Sequence, residues 1–166
     1  ITLKNNKLFY IKNTENLNVR SISISDKENI WITTYEKGFF LYNKNKLHSF
    51  PKDRNNYLLS SHYFMEDKNG YFWIPTNKGL FQVKKNSLLL HSKFNKVPVY
   101  YNYFDKNDGF ITNEFNGGCE PNGQFIGSNI AMPSMNGMVF FNPNNIKPFV
   151  PNEKLYIDEA IVDNKK

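Results

Sequence analysis

Apolar and polar residues alternate in short runs along most of this chain, and turn-forming residues separate the runs. Residues 21–25 read "SISIS", a period of two that places Ile22 and Ile24 on one face of a strand. Residues 26–29, "DKEN", are typical of a turn, and the run "IWITT" that follows predicts a second strand. No window has the composition of a long helix, so the pattern predicts an all-β chain.

The pattern is repeated along the chain. Asp26 and Asp67 are 41 residues apart, and so are Gly38 and Gly79, each of which precedes another apolar run. A third copy with longer spacing has Gly137 before "MVFF". Seven residues define the repeat and are expected to have structural roles. They are Asp26, Trp31, Gly38, Asp67, Trp73, Gly79 and Gly137.

The turns and strands of one repeat predict a four-stranded antiparallel sheet. Asn69-Gly70 offers the positive φ of a tight hairpin, and fourth strands are expected within residues 47–50 and 99–104. Asp26 and Asp67 are expected to cap the hairpin turns, and Pro75 and Pro133 to lie at strand ends or edges. Four strands in about 40 residues are typical of a β-propeller blade, whereas solenoid repeats are shorter or contain helices.

These boundaries predict a partial propeller of about three to four blades. Residues 1–17 are expected to end one blade, 18–56 and 57–104 to form two blades, and 105–147 to form a terminal blade. A partial propeller leaves two sheet faces uncovered, and we expect Trp and Phe on each. Remaining blades or neighbouring chains would then cover these faces.

Composition supports a β-rich domain and excludes some other classes. Aromatic residues make up 16% of the chain, which favours sheets, and no apolar run is long enough to cross a membrane. The net charge is +6, but the lysines are scattered, so no nucleic-acid patch is expected. The single cysteine, Cys119, excludes an internal disulfide and a cysteine-based zinc site.

Residues 67–80 carry the motif Asp-x-x-Gly-x-x-Trp-Ile-x-Thr-x-x-Gly-Leu, which resembles the two-component regulator propeller repeat. The segments "DGFITNEFNGGC" and "NGMVFFNPNNI" are similar to the last blade of such sensors. Residues 148–166 resemble the linker and first strand of the Ig-like module, named for three tyrosines, that follows the propeller in this family.

The resemblance implies a function for the chain. It implies part of the periplasmic sensor of a hybrid two-component histidine kinase of the kind common in Bacteroidetes. The complete propeller would have about seven blades, act as a homodimer, recognise an oligosaccharide and signal to a cytoplasmic kinase. The alternative is a propeller used only as a protein-interaction scaffold, and a propeller lyase or hydrolase is a third possibility.

Catalytic and metal sites are not expected in this segment. His48, His62 and His91 share no motif, so neither a metal site nor a cofactor is predicted. "SSH" at residues 60–62 places Ser and His on opposite faces of a strand, which argues against a nucleophile pair. Asp108-Gly109, in the chain's densest group of carboxylates, is better interpreted as a turn.

Ligand binding is expected in two loops, residues 33–38 and 110–118. Propellers bind ligands where loops of successive blades converge, and aromatic, amide and carboxylate side chains suit sugars. The same residue types also form turns, so a purely structural role remains open. The candidate ligand-binding residues are Tyr35, Glu36, Asn113, Glu114 and Asn116.

Overall fold

The computed structural model describes residues 2–26, 28–118 and 122–146. This described part is mostly β, with two four-stranded sheets, one three-stranded sheet, a two-stranded hairpin and one α-helix. The hairpin consists of β1 (Thr2–Lys4) and β2 (Lys7–Phe9). The prediction of an all-β chain is therefore supported. The Ig-like module expected from residue 148 lies outside the described residues.

The first sheet is an antiparallel meander in which strands adjacent in the chain are adjacent in the sheet. Its strands are β3 (Val19–Ile24), β4 (Ile30–Thr34), β5 (Phe39–Asn43) and β6 (Lys46–Ser49). The alternation in "SISIS" forms β3, and "LHS" of the expected fourth strand lies in β6. Short polar turns join these strands, so local sequence determines the order of the sheet.

The second sheet repeats the meander with one addition. Its strands are β7 (Met65–Glu66), β8 (Tyr71–Thr76), β9 (Gly79–Lys84) and β10 (Asn102–Phe104). A helix, α1 (Lys85–Phe94), is inserted between β9 and β10. The sequence pattern did not predict it, and β10 is correspondingly shorter than the strand expected over residues 99–104. No helix in the described part is long and apolar enough to cross a membrane.

The third sheet contains β11 (Gln124–Ile126), β12 (Asn129–Ser134) and β13 (Gly137–Phe141). Phe115 also pairs singly with Ser134 at the end of β12, just as Ser61 pairs with Thr76 at the end of β8. The strand that pairs with the first edge of the second strand is therefore interrupted in both the second and the third sheet.

Pro75 and Pro133 are next to last in the second strands of their sheets, β8 and β12. Their carbonyls accept hydrogen bonds from His62 N at 2.9 Å and from Asn116 N at 3.1 Å. Each proline therefore lies near a strand end, as expected, although both strands have neighbours on two sides. The interrupted strands accommodate the missing proline donors.

Trp31 and Trp73 occupy equivalent positions in adjacent sheets. Each lies in the second strand of its sheet, and each is 0% exposed. Trp31 packs against Phe64 and Phe72 in a core between the first and second sheets. Trp73 packs against rings that include Phe141, in a core between the second and third sheets. The second sheet is thus buried on both faces, and alternate residues of β8 enter the two cores.

The outward faces of the first and third sheets carry exposed apolar side chains, as expected, but no tryptophan among the described residues. Ile22 and Ile24 are exposed on the first sheet, and Met138 and Phe140 are exposed on the third. The expectation of a tryptophan on each uncovered face is wrong for the described residues, because both tryptophans point toward the neighbouring sheet.

Candidate functional site

The two predicted binding loops lie at the ends of second strands, and Arg20 contacts both of them. Tyr35 and Glu36 follow directly after β4. The segment 113–116 contacts the ends of β8 and β12: Phe115 N donates to Thr76 O at 3.2 Å, and Asn116 N donates to Pro133 O. The inner ends of all three sheets therefore contribute to one region, which we call the inner junction. We define it by Arg20, Tyr35, His62 and residues 113–118.

The predicted binding residues have two kinds of role in this region. Asn113 Oδ1 accepts from Lys106 N at 2.8 Å, and Asn116 Nδ2 donates to Ser134 O at 3.3 Å, so both amides hold backbone. Tyr35, Glu36 and Glu114 are exposed. These three side chains are the ones in the predicted set that remain accessible to a ligand.

Arg20 joins the first sheet to the third and was missed by the sequence analysis. Val19 pairs with Thr34 and Ser21 with Thr33, so Arg20 is the extra residue of a β-bulge. Bulges redirect side chains and are frequent beside functional sites. The Arg20 guanidinium lies 5.6 Å from the centre of the Tyr35 ring, and Nη2 donates to Gly117 O at 3.0 Å. The signal available in the sequence was the rarity of arginine, since Arg54 is the chain's other one.

His62 lies under this contact, in the interrupted strand of the second sheet. Its side chain is 1% exposed, and neither ring nitrogen makes a hydrogen bond of good geometry with the described residues. A Cβ added to Gly117 would lie 2.5 Å from His62 Cγ, so glycine is needed for the backbone to approach the ring. The sequence offered no sign of this burial, because the neighbouring serines suggest an ordinary polar strand.

A buried hydroxyl network holds the first and second sheets together beside His62. Ser21 Oγ and Thr33 Oγ1 are 2.9 Å apart, and Thr33 Oγ1 donates to His62 O at 2.8 Å. Ser21 N also donates to Thr33 Oγ1 at 3.0 Å. Because these groups are satisfied inside the protein, they fix the position of His62 relative to Arg20.

The pKa of His62 predicts that stability depends on pH. Burial, followed by the charge of Arg20, lowers the pKa of His62 to about 4, while the Phe115 backbone and the Asn77 side chain oppose the shift. In the unfolded chain a histidine titrates near pH 6.5. Between these values the unfolded chain binds a proton that the folded chain does not. The free energy of unfolding should therefore fall as pH drops from about 6.5 to 4, by at most about 3 kcal/mol.

Urea denaturation at pH 7.5, 6 and 5 measures this dependence. A His62→Asn variant should lose most of the decrease, whereas His48→Asn, at a half-buried position on β6, should retain it. An unchanged decrease in the His62 variant would assign the dependence to other groups.

The repeat aspartates bind their own turns rather than the inner junction. Asp67 Oδ1 accepts from Asn69 N and Tyr71 N at 2.9 and 3.0 Å, and Oδ2 accepts from Trp73 Nε1 at 2.9 Å. Asp26 accepts from the backbone of its turn in the same way, but Trp31 donates to Ser25 Oγ instead. The aspartate thus connects the hairpin turn to the buried tryptophan directly in the second sheet and through a serine in the first.

Removing the Asp67 carboxylate should destabilise the second sheet. Asp67 is 5% exposed, so Asp67→Ala would leave buried donors without acceptors and cost about 1–3 kcal/mol. Asp26→Ala is the matched control at an exposed position and should cost less, because water replaces its bonds. Chemical denaturation of both variants measures the difference, and equal losses would show that burial of Asp67 is not the cause.

The other chemical candidates have structural explanations. Asp105 and Asp108 form a capping box at the N-terminus of one short 3₁₀ helix, and Gly109 ends this helix with φ 104°, which confirms the predicted turn. His91 Nδ1 lies 2.7 Å from Val97 O. Within the described ranges, no group of three or more His, Cys, Asp or Glu side chains is placed to hold a metal ion.

A separate cavity of about 280 Å³ lies between the second and third sheets. Its lining is mainly apolar and includes Trp73, Phe104 and Phe141, with Asp108 and Asn145 as polar members. None of the predicted binding residues lines it. Asp108 Oδ2 already accepts from Asp105 N at 2.8 Å, so the cavity offers mainly apolar contact.

No protein-family model matches the sequence, and no curated protein is significantly similar to it.

Proposed function

We propose that the three sheets are consecutive blades of a β-propeller that recognises an oligosaccharide. The observation that carries this proposal is the equivalence of Trp31 and Trp73, each in the second strand of a meander sheet and each packed against the next sheet. Radially stacked blades require this arrangement, because each blade contacts only its neighbours. The shared turn chemistry of Asp26 and Asp67 supports it further.

The inner junction is the proposed ligand-binding surface. Loops from successive blades converge at the mouth of a propeller channel, and Tyr35, Glu36 and Glu114 are exposed there. An aromatic ring stacks on the apolar face of a sugar, and carboxylates accept hydrogen bonds from its hydroxyls. This combination favours an oligosaccharide over an apolar ligand.

The chain would act as a sensor without catalysing a reaction itself. The repeat around Asp67 and the segments on either side of residue 130 resemble the periplasmic region of two-component sensor kinases. In such a protein, a homodimer would pass the binding signal across the membrane to a cytoplasmic kinase. The ligand would have to bind one arrangement of the dimer more tightly than the other.

A scaffold without a small ligand is the alternative. It is favoured by the exposed apolar faces that carry Ile22, Ile24, Met138 and Phe140, since such surfaces usually contact protein. In the sensor hypothesis the remaining blades cover these faces. Exposure of the faces therefore does not distinguish the sensor from the scaffold.

Thermal denaturation of the chain with a panel of neutral and acidic oligosaccharides tests the proposal. A ligand at 100 times its Kd should raise the melting temperature by about 5–10 °C. Tyr35→Ala should remove the increase, whereas Tyr100→Ala, at a more exposed aromatic position outside the inner junction, should keep it. If no saccharide stabilises the chain, the scaffold alternative is favoured.

A further inference from the structure

We propose that the inner junction binds an anionic group, a carboxylate or a sulfate carried by the ligand, through Arg20. This inference rests on the proposed oligosaccharide-binding function and narrows its ligand to acidic sugars.

The guanidinium is placed by the fold at the centre of the inner junction. The bulge at Arg20 turns its side chain out of the ladder of the first sheet, and the bond to Gly117 O joins it to the segment 113–118, 97 positions along the chain. Tyr35 supports the guanidinium from the side. A bulge, a ring contact and a long-range hydrogen bond hold one arginine at the point where three sheets meet.

One donor of the guanidinium is left without an acceptor. Nη1 of Arg20 is buried and makes no hydrogen bond with the described residues, and the His62 ring beside it, one nitrogen a donor and the other an acceptor, makes no hydrogen bond of good geometry. Lys85–Glu66 is the salt bridge found within the described ranges, so no carboxylate there neutralises Arg20. Arg20 is half-buried and its Nη2 already bonds Gly117 O, so the unmet cost is that of one buried donor, Nη1. A planar anion that accepts two bonds from the guanidinium would remove that cost.

The ligand would enter beside Tyr35. This ring is 44% exposed, and Gly117 and Gly118 place no side chains in the way. Because Nη1 is buried, the guanidinium must turn toward Tyr35 to take up the anion. The sugar ring that carries the acid would then lie next to the Tyr35 ring, with Glu36 and Glu114 available to its hydroxyls.

Glucuronate, glucose and inorganic sulfate are suitable probes. Each is titrated into the chain while NMR follows the Arg20 Nε–H and His62 ring signals, and calorimetry measures affinity. Glucuronate should bind at least about tenfold more tightly than glucose, since a bond to a charged group contributes that much or more. Both glucuronate and sulfate should shift the Arg20 and His62 signals. Sulfate tests whether the inner junction binds an anion at all, and glucuronate tests whether it binds a carboxylate that is carried by a sugar.

Arg20→Gln should weaken glucuronate binding at least about tenfold and leave glucose binding unchanged. Arg54→Gln removes the same charge from an exposed loop and should leave both affinities unchanged. Arg20→Lys keeps the charge without the planar fork, and it should fall between wild type and Arg20→Gln. Should the Arg20 variants not fold, the NMR shifts of the wild-type chain still decide the matter.

The outcomes separate this inference from the proposed function. Equal binding of glucuronate and glucose, with no shift at Arg20, would overturn the anion site and leave sugar recognition standing. Shifts caused by sulfate in a chain that binds no saccharide would support the anion site and overturn oligosaccharide recognition. No response of Arg20 or His62 to either anion would overturn the inference.

Discussion

Trp73→Ala is expected to lower the free energy of unfolding by about 3–5 kcal/mol. The side chain is 0% exposed and fills the core between the second and third sheets, where it packs against Phe104 and Phe141. Its removal would leave a cavity beside the existing one and would also remove the indole donor of Asp67. The cavity would lie between the second and third sheets, so the third sheet should separate from the second most easily.

Urea denaturation monitored by circular dichroism measures this loss. Tyr100→Ala is the matched control, because Tyr100 is 79% exposed and its truncation should change stability little. Hydrogen exchange on the variant should show faster exchange in β12 and β13 than in β4 and β5. A loss below about 1 kcal/mol would mean that the Trp73 core contributes little to holding the sheets together.

Gly79→Ala is expected to cost about 2–5 kcal/mol, from a combination of backbone strain and overpacking. Gly79 has a φ of 142°, which residues with a side chain rarely adopt. An added Cβ would lie 2.5 Å from the Tyr103 ring and 2.7 Å from Phe104 O. Since Gly79 pairs with Thr76 at the start of β9, the strain would fall on the pairing of β9 with both β8 and β10.

Gly137→Ala separates the two contributions. Gly137 is the equivalent repeat glycine, and it also has a positive φ, of 103°, but no atom lies within 4 Å of an added Cβ. Its replacement should therefore cost only the backbone strain, about 1–2 kcal/mol. Thermal denaturation of both variants checks the difference, and equal costs would show that the approach of Tyr103 is not what requires glycine at position 79.

The sheets were predictable because residues close together in the sequence determine their strands and turns. The first two sheets share a turn aspartate, a tryptophan and a glycine before the next apolar run, and the third sheet keeps only the glycine, Gly137. The turn at Asp67 shows the reason: one carboxylate binds the turn backbone and the tryptophan indole, so residues within seven positions determine the hairpin. Expected and observed strands therefore agree closely where these residues recur.

Helix α1 was not predictable from the same signals. Lys84 before it provides no side-chain cap, and its first turn contains no acidic residue. The helix is stabilised by burial of Leu88 in the core between the first and second sheets. Tertiary packing, which a single sequence does not display, decides the conformation of this segment.

The candidate site was predictable only in part, for a similar reason. The loops that carry Tyr35 and Glu114 could be named from the sequence because they adjoin the repeat, and their binding role stays a prediction. Arg20 and His62 could not be named, since a bulge depends on strand pairing and the burial of His62 depends on Gly117 of another sheet. Asn113 and Asn116 were named as ligand-binding residues, but their amides hold the backbone.

The meander order of the sheets has an evolutionary consequence. A duplicated stretch of gene that encodes one sheet would bring all its turns with it, so sheets can be gained as whole units. The alternation of Phe72 and Trp73 lets a middle sheet accept a neighbour on either side. Selection would then act mainly on the few side chains where units meet, which leaves the loops free to diverge toward new ligands.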